Sequence, residues 1–177
     1  MNFNETYSAG VLPYTIYKGS IYFLLGRDSD NKWSDFGGRV EPKDKGEHEV
    51  TASREFFEET LGCIYDIDFT RKSLKKCKKI ISKTAAGHNY YMYLLRLSYN
   101  DFYRKKFLST KNFLISISNH NNNIYIDKKY IEKNDIRWVS NETIEHTIEE
   151  KSFISLRNVF MNTYKMNKSE LKNLIKN

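Results

Sequence analysis

The sequence predicts a single α/β domain, and three observations carry that prediction. Residues 9–25 read as two strands, 10–17 and 21–25, divided by the turn residues Lys18-Gly19-Ser20. A central segment has apolar residues at helical spacing, Val50, Phe57 and Leu61, and stops at Gly62. Strand-like runs at 89–97 and 136–139 then alternate with helical stretches, and neither a repeat nor a linker divides the chain.

In chain order, a polar loop at 27–32 follows the first two strands and leads through Trp33-Ser34-Asp35-Phe36 into Gly37-Gly38. The central helix is expected to begin between 47 and 51, and a short strand to follow near 63–67. A basic stretch at 71–79 runs into Lys79-Ile80-Ile81, ahead of the strong strand at 89–97. Residues 100–127 carry no readable period, and Asn-His-Asn-Asn-Asn at 119–123 reads as a solvated loop. Asn141-Glu142 opens a helical segment. The stretch from about 149 to 176 reads as one C-terminal helix with Phe153, Leu156, Phe160 and Tyr164 on a stripe.

The 177 residues are enough to bury a core without staples, and 40% hydrophobic and 15% aromatic content is globular rather than disordered. Cys63 and Cys77 make no metal-knuckle pair and no disulfide framework, the usage expected of a reducing cytoplasm. The first residues lack the basic and apolar regions of a signal peptide, and no apolar run approaches the ~20 residues of a membrane span. A net charge of +7 points to a polyanionic partner: nucleotide, polyphosphate or RNA. An A+T-rich coding bias, which also raises asparagine, isoleucine and tyrosine, accounts for the lysines equally well.

The densest chemistry is Arg54-Glu55-Phe56-Phe57-Glu58-Glu59. Its three carboxylates lie at i, i+3 and i+4, which share one face of a helix. Unpaired, they would repel each other, so a divalent cation is expected to hold them together. Gly37-Gly38 upstream lets backbone approach whatever that cation binds.

These residues resemble the Nudix hydrolase superfamily, whose box reads G-x5-E-x7-R-E-U-x-E-E-x-G-U with U apolar. Residues 54–59 match the R-E-U-x-E-E core position for position, and Gly38 matches the opening glycine. The flanks agree as well: Gly26-Arg27, Lys32-Trp33 and Ile136-Arg137-Trp138-Val139, so the resemblance spans roughly residues 8–144. Two departures stand out. Gly38 to Arg54 is two residues longer than the pattern, leaving Glu47 as the candidate for the first glutamate, and Leu61 is an extra residue before Gly62.

The resemblance implies an α/β/α sandwich with a mixed sheet, and a magnesium-dependent (or manganese-dependent) pyrophosphohydrolase acting on a nucleoside diphosphate linked to another moiety. The substrate expected is a nucleoside triphosphate, a dinucleoside polyphosphate, a nucleotide sugar or ADP-ribose. The alternatives are a 5′-end or cap of RNA, an inositol pyrophosphate, or a non-catalytic module that binds nucleotide or RNA. Glu58 and Glu59 are expected as metal ligands and Glu55 as a third ligand or the base. Glu132 and Asp135 are further candidates for the base, and Arg54 is expected to orient Glu58. A Gly37 or Gly38 carbonyl would add a metal oxygen, and Arg27 and Arg39 would meet phosphate. Trp33 and Tyr90 read as core or rim packing before base stacking, Trp138 as packing, and His88 as a surface residue. A homodimer is an expectation by analogy alone.

Overall fold

The computed structural model describes residues 6–120, 125–150 and 153–176. Among them, seven strands form one mixed sheet with helices on both faces. Strand β1 (Tyr7–Tyr17) pairs antiparallel with β2 (Ser20–Asp28) across the Lys18-Gly19 turn. The short β3 (Trp33–Ser34) adds to β2, and β4 (Phe36–Arg39) pairs antiparallel with the first half of β1. On its other edge β1 runs parallel to β6 (Asn89–Arg96), which pairs antiparallel with β5 (Lys78–Lys83). Strand β7 (Lys133–Ser140) closes on β2.

The sheet is buried on both sides because its central strands are apolar at consecutive positions. In β2, Leu24 faces one core, with Ala9, Val11, Phe36, Phe56, Phe107 and Ile136. Phe23 and Leu25 face the other, with Leu12, Ile80, Leu94, Ile144, Phe160 and Tyr164. The first core packs under α1 (His48–Thr60), α2 (Ile67–Leu74) and α3 (Phe102–His120). The second is covered by α4 (Asn141–Glu150), α5 (Asn158–Met166) and α6 (Lys168–Lys172). No helix among the described residues is long and apolar enough to cross a membrane.

Three expectations are corrected. The strand expected near 63–67 is a turn leading into α2, because Asp66 caps that helix by accepting from the Phe69 N–H at 2.7 Å. Residues 102–120 of the unreadable region form α3, in which only Phe107 and Lys111 are buried. The loop expected at 119–123 begins inside that helix, and residues 121–123 lie outside the described ones. The C-terminal stripe is broken: Phe153 is exposed, and Leu156 is buried in extended chain bridged to Trp33. Only Phe160 and Tyr164 share a helix, α5.

Helix α1 ends with Leu61 and Gly62 both left-handed, at φ 56° and 60°. Leu61 N–H caps the Glu58 and Phe57 carbonyls, and Gly62 N–H returns to Phe57 O at 2.9 Å. A Cβ on Gly62 would lie 2.6 Å from Phe57 Cε2. Gly62→Ala is therefore expected to lower stability by about 1–2 kcal/mol from the left-handed backbone alone. A urea midpoint equal to wild type would contradict it.

Candidate active site

Strand β4 and helix α1 build the site between them. The β1–β4 register sets Gly38 opposite Ala9 and Gly37 opposite Gly10, and α1 lies across them. A Cβ on Gly38 would lie 2.6 Å from Glu55 Cδ, so only a bare backbone admits that carboxylate. Gly38→Ala is expected to displace Glu55 and weaken divalent-metal affinity by about 10–100-fold, the range for a residue that sets a ligand's orientation. Titration with Mn2+ reads this directly, and unaltered affinity would remove the steric argument.

Arg54, 5% exposed, is the hub. Its Nη1 donates to Glu55 Oε1 at 2.7 Å and Glu58 Oε2 at 3.1 Å, and lies 3.1 Å from Glu41 Oε1. Its Nε and Nη2 grip Asp44 at 3.0 and 2.9 Å, and Nη2 also donates to the Arg39 carbonyl at 2.9 Å. Glu41, Glu55 and Glu58 consequently bring carboxylate oxygens within 4.8 Å of one another. At the rim, Lys43 Nζ is 3.0 Å from Glu41 and Lys129 Nζ is 3.1 Å from Glu58.

Asp44, not Glu47, completes the arginine's shell. Gly38-x5-Asp44 keeps the spacing of the box, with aspartate for glutamate, and the two extra residues follow it. Lys45 and Gly46 are both left-handed there, at φ 52° and 76°, and loop out before Glu47 takes the N-cap position of α1. Burial opposes the Asp44 charge, but Arg54, the Glu41 N–H and the Thr51 hydroxyl outweigh it and hold its carboxyl below the usual range.

Glu59 sits apart from that trio. Its Oε2 accepts from Gly37 N–H at 2.8 Å and its Oε1 is 3.2 Å from Lys133 Nζ. It groups with Asp28 and Glu132, again within 4.8 Å. Burial pushes the Glu59 carboxyl up to about 8 against the pull of Lys133, with Glu132 and Glu55 adding to the rise. Burial likewise raises Glu55, partly offset by Arg54, while Glu58 and Glu132 push it further. The Arg54 cluster holds four carboxylates around one guanidinium; with the partly exposed Lys43 and Lys129 at its rim counted, it is still one positive charge short. An all-oxygen donor set with that deficit fits a hard divalent cation.

The other expected residues divide. Asp135 is not free to act as a base: Arg104 holds both its oxygens at 2.8 and 3.0 Å, and Arg137 Nε adds a bond at 2.9 Å. Glu132 is exposed beside Glu59 and remains in place for that role. Arg39 is exposed and lines a cavity of about 340 Å³ with Gly37, Gly38, Asp35, Tyr90 and Arg157. Arg27 lies over the Trp33 ring at 5.7 Å, where Arg137 also packs at 5.5 Å. Trp33 and Tyr90 are buried, the Tyr90 hydroxyl donating to Asp35, and His88 is exposed. Burial pushes Asp35 up to about 6 in spite of that bond. Trp138 is half-buried against the first core.

Sequence reasoning missed Glu41, Asp44, Asp28 and Lys133. For Asp44 a signal existed in its spacing from Gly38; for the others only tertiary pairing supplies it.

No protein-family model matches this chain. An uncharacterised protein of Acanthamoeba polyphaga mimivirus is 39% identical over 64 residues, covering 33% of this chain and 20% of that protein's length. Among solved structures, an Ap4A hydrolase of C. elegans in a binary complex aligns with TM-score 0.55 at 18% identity, over 94% of this chain and 98% of that one. The NUDIX domain of Shewanella oneidensis NrtR, complexed with ADP ribose, aligns with TM-score 0.54 at 13% identity, over 94% and 88%. At such identities the likeness is one of fold.

Proposed function

With the fold established as that of the Nudix superfamily, we propose that this chain is a divalent-metal-dependent hydrolase of phosphoanhydrides, acting on a nucleoside diphosphate linked to another group. The observation that carries the reading is the Glu41–Glu55–Glu58 cluster around Arg54, with Glu55 set against Gly38. Glu41, Glu55 and Glu58 would hold Mg2+ or Mn2+, which when bound neutralises phosphate oxygens and acidifies water. Arg54 fixes the three carboxylates, and Asp44 fixes Arg54. Glu132 accepts the proton of the attacking water, and Arg39 at the cavity mouth meets phosphate through charge-assisted bonds.

The neighbours that act on Ap4A or bind ADP ribose support a nucleotide metabolite. The basic stretch at 71–79 makes a weak RNA track, being divided between α2 and β5. Several of its cations are also engaged internally: Arg71 with Asp68, Lys78 with Glu170, and Lys79 over the Tyr91 and Tyr93 rings.

The test is phosphate or nucleotide release, with and without Mg2+, over nucleoside triphosphates, dinucleoside polyphosphates, nucleotide sugars, ADP-ribose and capped RNA. Magnesium-dependent turnover of a metabolite is expected. Cleavage of capped RNA alone, falling steeply with salt, would replace the metabolite reading with the RNA one. Binding without turnover would make the chain a non-catalytic module.

A further inference from the structure

The second acidic group, Asp28, Glu59 and Glu132, has the reach to hold a hard cation of its own. A cationic side chain is already lodged in it. Lys133 Nζ lies 2.6 Å from Asp28 Oδ1 and 3.2 Å from Glu59 Oε1, and donates to Ser34 Oγ at 3.1 Å. Two hydrogen bonds, to Asp28 and Ser34, and the ion pair with Glu59 engage the ammonium. Arg157 Nη2 adds a second positive charge 2.6 Å from Asp28 Oδ2, on the outer side, where Arg157 is exposed.

This placement is built rather than incidental. Lys133 is 2% exposed, and its stem passes Gly26, where a Cβ would lie 3.0 Å from Lys133 Cδ and 3.1 Å from Cε. The β2–β7 register slips by one residue between Arg27 and Asp28, so that Lys133 instead of Asn134 stands opposite Asp28. Helix α3 then pins the segment. The buried Lys111 Nζ donates to the Ile131 and Lys133 carbonyls and to Asn134 Oδ1, bracketing the residue that carries the ammonium. Holding a long, flexible side chain in one buried rotamer costs conformational entropy, which the buried ion pairs and hydrogen bonds offset.

We propose that the Lys133 ammonium is the resident cation of this second group. It excludes divalent metal from Asp28, Glu59 and Glu132, confines metal to the Glu41–Glu55–Glu58 cluster, and holds the Glu59 carboxylate against Gly37 N–H. Lys133 is thus a positioning residue that sets how many ions the protein takes.

The experiment counts Mn2+ bound to the full chain without nucleotide, from the free-ion electron paramagnetic resonance signal, for wild type and Lys133→Met. The methionine variant is expected to bind one ion more than wild type; equal counts overturn the proposal. Should Lys133→Met fail to fold by circular dichroism, Asp28→Asn decides in the otherwise native chain. An unaltered count then supports Lys133 as the occupant, and loss of an ion overturns it. The inference rests on the proposed metal site but fails separately from it. A wild type that binds no Mn2+ defeats the metal reading, while the difference between variant and wild type still decides Lys133.

Discussion

Glu58→Gln is expected to lower magnesium-dependent turnover by more than the ~10–100-fold typical of a residue that only orients a ligand, with the fold intact. Glu58 is 4% exposed, lies within 4.8 Å of both Glu41 and Glu55 through its carboxylate oxygens, and accepts from Arg54. Glutamine keeps the volume and one acceptor oxygen but removes the charge that would attract the proposed cation. Folding should tolerate the change, because it also removes like-charge repulsion from Glu55 in the metal-free protein. The paired measurement is steady-state phosphate release together with thermal unfolding. Wild-type turnover in a folded variant would remove Glu58 from the proposed metal site.

Arg54→Met should be the most destabilising single change in the site. Breaking a buried ion pair by deleting one partner costs about 3–5 kcal/mol, since the remaining charge is left uncompensated. Here the orphan is Asp44, 1% exposed and gripped through two guanidinium nitrogens, and Glu41, Glu55 and Glu58 lose their common counter-charge with it. The Arg39 carbonyl loses a donor as well. Added Mg2+ should restore part of the loss, because a ligand that binds only the folded state stabilises it. Urea unfolding with and without the metal reads both effects. A loss below about 1 kcal/mol, as for an exposed ion pair, would show that the network carries no such weight.

How much of this was legible follows from the distance over which each signal acts. The strands of residues 9–25 and 89–97 were readable because β-rich runs bounded by turn residues are local patterns. Helix α3 was not, because with only Phe107 and Lys111 buried it carries no apolar stripe. Helix α2 was hidden behind its own basic residues, its one local signature being the Asp66 cap. Asp44 stood at the box's spacing from Gly38 but was obscured by the two-residue loop after it, which drew attention to Glu47.

By itself the sequence determined the carboxylate face of α1 and its arginine, because i, i+3 and i+4 spacing fixes which side chains share a helix surface. It also determined the double glycine that lets Glu55 approach β4. What only the tertiary structure decided is how those carboxylates are shared out. Glu41 joins Glu55 and Glu58 from a loop, while Glu59 is drawn to Asp28 and Lys133, two residues 105 positions apart that meet through β2–β7 pairing. Charges interact through space and not along the chain, so no local pattern could assign Glu59 its partner.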